Sequence, residues 1–246
     1  MLKDIWIVFL TGHMLGDFYL QTSVMAEEKE ENYGRLLMHG LIYLTCMIIL
    51  GVAVFGMSGL KWGLLISVLH LMIDFLKCRI KKKGKYRERN EIIYVTDQLL
   101  HIAVIILAGM AMRYSVGQPH YTYLIELTEK SFYIDFTAVF SWILALLFLV
   151  KPCSITAKIV LAGYRPQVKS GEIKNGGAMI GIFERYIIFL LLFIGQYGAI
   201  GLVLTAKSIA RYNKMTEDPQ FAEYYLLGTL LSMALVMTIY LFLFYR

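Results

Sequence analysis

"GLIYLTCMIILGVAVFGM", residues 40–57, runs for eighteen positions without a charged side chain. As a helix rising 1.5 Å per residue it reaches about 27 Å, close to the roughly 30 Å hydrocarbon core of a bilayer. Outward from it, "YIIFLLLFIG" (186–195) and "LLGTLLSMALVMTIYLFLFY" (226–245) repeat the pattern. Of the 246 residues, 58% are hydrophobic and 17% charged, and the mean hydropathy is +0.61. A soluble domain of this length carries more charge and shorter apolar runs. The expected fold is therefore all-α: a polytopic transmembrane helical bundle, one integral membrane domain over 1–246, with the lipid bilayer as its first partner.

Eight apolar segments can be marked, at about 4–21, 36–57, 60–76, 92–112, 134–150, 179–195, 197–212 and 221–244. The first, third, fifth and seventh are short or polar, so seven spans also fit. The opening "MLKDIWIVFLTGHMLGDF" has an aspartate at position 4 and no small-x-small cleavage pattern, and reads as a retained first helix rather than a signal peptide. Cys46, Cys78 and Cys153 are odd in number and share no motif spacing, which argues against a disulfide framework. The formal charge of +6 sits in loops between spans and sets orientation, so no nucleic-acid partner is implied.

Those loops give the direction. "KCRIKKKGKYRER" (77–89) holds eight basic residues and one acid; residues 151–174 hold five and one. The positive-inside rule puts both in the cytoplasm of a cell with an inner membrane, and the balanced segment 113–133 outside. Threading the remaining spans alternately leaves both termini outside. The acidic run "AEEKEENYGR" (26–35) then falls inside, which the rule tolerates because acids contribute little.

Within this apolar chain, His13, His39, His70, His101, Asp17, Asp74 and Asp97 fall in predicted spans, where ionisable groups cost several kcal/mol unless paired or solvated. "HMLGD" (13–17) and "HLMID" (70–74) place His four residues before Asp; "DQLLH" (97–101) reverses the order. Each pair projects from one helix face. His13, Asp17 and Gln21 would form one stripe, and His39 lacks an acid at that spacing. The threaded topology brings all seven groups to one depth near the inner leaflet, from four helices. Imidazole and carboxylate donors suit a divalent ion, with zinc first and manganese or iron as alternatives, in a mono- or dinuclear site. The aspartates would serve as ligands, orienters or general base, and Gln21 and Gln98 would orient water or substrate.

Residues 134–246 read as supporting helices for the His/Asp-bearing segments of 1–112. They carry a second polar set: Glu184, Arg185, Lys207 and Arg211. Either Glu184 pairs with one of the cations, or the set forms a phosphate or head-group site for substrate. The glycines of "KNGGAMIG" permit a tight start to the sixth segment and close helix approach.

The pattern resembles a family of bacterial multi-pass membrane proteins described as a domain of unknown function, DUF3307. Its H-x-x-G-D-F-x-L-Q signature is matched by His13, Gly16, Asp17, Phe18, Leu20 and Gln21, and its later elements by His70, Asp74, Asp97, Gln98 and His101. The stretches "IGIFERYIIFLLLFIGQYGAIGLVLTAKSIARYN" and "EYYLLGTLLS" look like that family's second half. The resemblance implies an integral membrane location and no particular reaction. A looser likeness, in the H-x-x-x-D motifs alone, is to membrane-bound metal-dependent hydrolases. The expectation is a metal-dependent hydrolase acting on a lipid or amphiphilic substrate from the cytoplasmic leaflet. The alternatives are a proton- or cation-coupled transporter or channel, and a non-catalytic scaffold with a structural polar cluster.

Overall fold

The computed structural model describes residues 2–30, 32–82, 90–116, 121–133, 135–166 and 176–245. All regular structure among them is helical: α1 Leu2–Met14, α2 Ser23–Glu28, α3 Tyr33–Lys82, α4 Asn90–Val116, α5 Tyr123–Phe132, α6 Phe136–Val160, α7 Gly176–Phe193, α8 Tyr197–Ile209, α9 Tyr212–Glu217 and α10 Pro219–Phe244. The chain is thus an all-α bundle. Four of these helices, α3, α4, α6 and α10, are long and apolar enough to cross a membrane by length and composition. The basic segments used for orientation lie partly outside the described residues, at 83–89 and 167–174.

The second and third apolar segments are joined without a loop. At Gly56 the backbone of α3 takes φ 58° and ψ −135°, which reverses the chain. This conformation is open to glycine and strained for residues with a Cβ. The two limbs, 33–55 and 57–82, then pack backbone against backbone. A Cβ on Gly51 would lie 2.7 Å from the Gly59 carbonyl oxygen, and one on Gly59 only 1.9 Å from that of Gly51. One turn further, a Cβ on Gly63 would come within 3.0 Å of the Met47 carbonyl. Missing side chains let membrane helices approach this closely. The resulting register sets His39 opposite His70 on the facing limb.

Two compact units divide the chain, Met1–Leu144 and Ala145–Arg246. In the first, α1 is the central element. Ile5, Ile7, Val8 and Phe9 are fully buried, as expected of a helix apolar on every side. It packs against both limbs of α3 and against α4, where Trp6 Nε1 donates to the Ile106 carbonyl at 3.2 Å and the ring lies over Gly109. One end of this unit is closed by polar bonds around the Gly56 turn. Thr122 N–H donates to the Val54 carbonyl (3.0 Å), and the Tyr121 and Thr137 hydroxyls donate to the two oxygens of Asp4 at 2.8 and 2.7 Å. Burial and the Asp4 carboxylate together push the Tyr121 hydroxyl above its ordinary pKa. In the second unit α7 packs on α10, with Phe189 edge-on to Phe244 at 5.7 Å between centroids.

The first apolar segment departs from a straight helix. After Met14 it widens into a π-turn over Leu15–Tyr19, closed by Leu20 N–H donating to Leu15 O at 2.9 Å. His13 and Asp17 of the expected stripe stay together, at 3.8 Å, but Gln21 leaves it, because a π-turn advances more than four residues per revolution and the helix ends before Gln21. Thr22 then caps α2 by accepting from Met25 N–H (3.2 Å), and the chain folds back on itself.

Candidate functional site

At the end of the first unit away from Gly56, five elements converge on one polar core. By helical rise His70 and Asp74 lie about 21 and 27 Å along the second limb from the turn. The imidazoles of His13, His39, His70 and His101 and the carboxylate of Asp74 are all buried, none more than 1% exposed. Among these groups, His39 Nε2 faces His70 Nε2 at 3.2 Å. Asp17 Oδ1 lies 3.2 Å from the first and 3.3 Å from the second. Three donors from three different helical segments thus make a nearly equilateral triangle.

Asp74 closes on the same pair from the other carboxylate, with Oδ2 3.3 Å from His39 Nε2 and 3.7 Å from His70 Nε2. His39, which has no acid at i+4, finds its acids on the π-turn and on the facing limb of α3. His13 Nδ1 stands 3.8 Å from Asp17 Oδ2, and the donor atoms of His13, Asp17 and His101 lie within 4.8 Å of one another. His70 is held flat between two rings. Tyr43 stacks on it at 3.6 Å with an interplanar angle of 8°, and His101 at 4.2 Å. Tyr43 reaches this place by lying over Gly16, where a Cβ would be 2.8 Å from its ring.

Two lysines complete the electrostatics. Lys29 Nζ donates to Asp74 Oδ2 at 2.7 Å, and Lys77 Nζ to Asp97 Oδ2 at 2.8 Å. Asp97 also accepts from Gln98 Nε2 (3.3 Å) and stands 3.9 Å from His101 Nδ1. It therefore belongs to the rim of the core, tied to lysine, while Asp17 sits at its centre. Among the described residues the ion-pair partners of Asp17 are all imidazoles. Gln21, with its amide turned as its neighbours require, donates to the Asp17 backbone carbonyl (3.1 Å) and accepts from Lys29 Nζ (3.2 Å). It braces the π-turn and the lysine.

Sequence spacing does not point to Lys29, which sits in the acidic run 26–35. It is delivered by the fold-back of α2 and fixed by Cys78 Sγ donating to its carbonyl (3.4 Å) and by the neighbouring Lys81–Glu30 ion pair. Lys77 and Tyr43 do carry a signal. Lys77 follows Asp74 by three residues and His70 by seven, and Tyr43 follows His39 by four, so each shares a face with a site residue.

The second polar set lies in the second unit. Lys207 pairs with Glu184 (2.5 Å) and donates to Thr229 Oγ1 (3.1 Å). Arg185 is buried and donates to the Leu149 carbonyl (2.6 Å), Ser154 Oγ (2.6 Å) and Ser232 Oγ (3.4 Å). Arg211 stands apart at the start of α9. Glu184, Arg185 and Lys207 thus spend their hydrogen bonds within the helices of their own unit. Cys46, Cys78 and Cys153 are free thiols.

A family model described as "Protein of unknown function (DUF3307)" matches residues 5–129 of the chain. That stretch contains every member of the His/Asp core, together with Lys29, Tyr43 and Lys77; residues 130–246 lie outside it. No curated protein and no solved structure matches the chain.

Proposed function

The chain belongs to the DUF3307 family, and from the geometry of its polar core we propose that it is a metal-dependent hydrolase embedded in an inner membrane. The triangle of Asp17 Oδ1, His39 Nε2 and His70 Nε2, with edges of 3.2–3.3 Å, carries this reading. Ligands at 2.0–2.1 Å from a tetrahedral zinc ion lie about 3.3 Å from one another. Two imidazoles and a carboxylate are also a donor set that iron or manganese accepts. A buried carboxylate whose ion-pair partners are all imidazoles is costly unless a further cation joins it. Asp74 and Asp97 have lysines in that role; a divalent ion would supply it at Asp17.

When bound, such an ion lowers the pKa of a coordinated water to about 7. The chain's own residues do the rest. Tyr43 and His101 hold the His70 ring in plane. Lys29 anchors Asp74 through Oδ2 and Lys77 stands 3.6 Å from Oδ1; Asp74, beside the triangle, is the carboxylate that would accept the proton released by the attacking water. Water adds to the ester centre, the ester bond breaks, and the leaving oxygen takes that proton. A lipid or amphiphilic substrate is favoured because the outer faces of the site-bearing helices are apolar and exposed, as at Leu41 (62%), Met72 (55%) and Leu100 (48%). Access from the cytoplasmic leaflet is favoured by the basic charge of the run 77–89, whose described part, 77–82, lies at this end of the unit.

Purified protein is expected to retain zinc, manganese or iron, measured by plasma mass spectrometry. His39→Ala and His70→Ala should each lose most of that metal while keeping their helical circular dichroism. Wild-type protein free of all three metals sinks the proposal.

One observation favours a second reading. Lys29, Asp74, His39, Asp17 and His13 form a chain of contacts at 2.7, 3.3, 3.2 and 3.8 Å, such as a proton relay uses. Metal-free protein that carries protons across liposome membranes would select the relay.

A further inference from the structure

We infer that the centre holds two divalent ions rather than one, with Asp17 as the carboxylate between them; this rests on the metal reading above. The two oxygens of Asp17 are turned to different imidazoles. Oδ1 faces His39 and His70 at 3.2 and 3.3 Å, and Oδ2 faces His13 Nδ1 at 3.8 Å. His101 completes the second group, since its donor atom lies within 4.8 Å of those of His13 and Asp17. A carboxylate shared by two donor sets is what places two ions close enough to act together, about 3.5–4 Å apart.

The second group has its own sign of a ligand. Both nitrogens of His101 are buried and make no hydrogen bond, Nδ1 standing 3.9 Å from Asp97 Oδ2, whereas the His13 Nδ1 that faces Asp17 also lies 3.4 Å from the Tyr43 hydroxyl. Buried imidazole nitrogens ordinarily find a partner. Neither ring can turn away cheaply: the His13 and His101 centroids are 5.5 Å apart, and His101 is stacked on His70. Lys29 and Lys77 make their ion pairs with Asp74 and Asp97, and among the described residues no lysine forms an ion pair with His13, Asp17 or His101. A third grouping, His70, Asp74 and His101, also falls within 4.8 Å, but Lys29 already occupies Asp74 Oδ2 at 2.7 Å.

Full-length protein in detergent, stripped with chelator and reloaded with Mn(II), tests the bridge by metal-to-protein ratio and electron paramagnetic resonance. Wild type should bind two ions per chain and show an exchange-coupled spectrum. His13→Gln and His101→Gln should each fall to one ion with the hyperfine sextet of isolated Mn(II). The wild-type spectrum decides even where a variant fails to fold. One uncoupled ion in wild type, lost in His39→Ala, leaves the metal reading standing and overturns the bridge. Two ions retained in His13→Gln, with one lost in His101→Gln, move the second ion to His70, Asp74 and His101 and also overturn it. No bound manganese in any form, with no native metal, overturns both.

Discussion

At the scale of single residues, Lys77 is a side chain whose removal should be felt sharply. Its Nζ lies 2.8 Å from Asp97 Oδ2 and 3.6 Å from Asp74 Oδ1, with Asp97 buried. Methionine keeps the apolar stem and deletes the charge, leaving a buried carboxylate uncompensated. Breaking one side of such a pair costs about 3–5 kcal/mol, whereas removing both partners is often close to neutral. Lys77→Met is therefore expected to lower the thermal unfolding midpoint markedly, and Lys77→Met with Asp97→Asn to restore most of it. A single variant as stable as wild type would show the pair to be dispensable. The same residues show what spacing could reveal. The i, i+4 pairs His13/Asp17, His70/Asp74 and Asp97/His101 were legible because neighbours on one helix follow from sequence distance. Lys29 was not, because no period links an acidic run to a distant helix. Gln21 was legible as polar but misplaced, since a π-turn breaks the four-residue register that spacing assumes.

At the scale of elements, the α3 hairpin sets the site, because its register puts His39 against His70. The apolar pattern marked a break between residues 57 and 60, and the structure places it at Gly56. Its tightness was not legible: glycines at 51, 56, 59 and 63 look alike in the sequence but do different things. Gly56 is constrained by its backbone alone, since a Cβ there would meet nothing within 4 Å, whereas a Cβ on Gly59 would lie 1.9 Å from the Gly51 carbonyl oxygen. Gly56→Ala should cost about 1–3 kcal/mol of backbone strain and leave the limbs in register. Gly59→Ala must push two backbones apart, and with them His39 from His70. Metal content and unfolding temperature together separate the cases. On the metal reading, Gly56→Ala is expected to be less stable yet to keep the wild-type metal content, and Gly59→Ala to lose both stability and metal. Equal metal retention in the two variants would show that the close approach does not position the site.

At the scale of the whole molecule, the first unit, Met1–Leu144, encloses the complete polar core, and the family match at 5–129 lies inside it. That unit has two unlike ends. One holds the Gly56 turn, Asp4, Tyr121 and Thr137; the other holds the core, Lys29, Lys77 and Lys81. Lysine and arginine in short connecting segments are retained on the cytoplasmic side, so the core should open towards the inner leaflet and residues 113–122 should face outward. Single cysteines test this in a background with Cys46, Cys78 and Cys153 replaced by alanine. Gln118→Cys is expected to react with a membrane-impermeant maleimide on intact cells, and Gly84→Cys only after the membrane is permeabilised. The reverse labelling would turn the unit over and put the His/Asp core at the opposite leaflet. The proposed lipid substrate would then be one of that leaflet. The proposed metal chemistry would be unchanged, because it depends on the triangle of Asp17, His39 and His70 and not on which way the triangle faces.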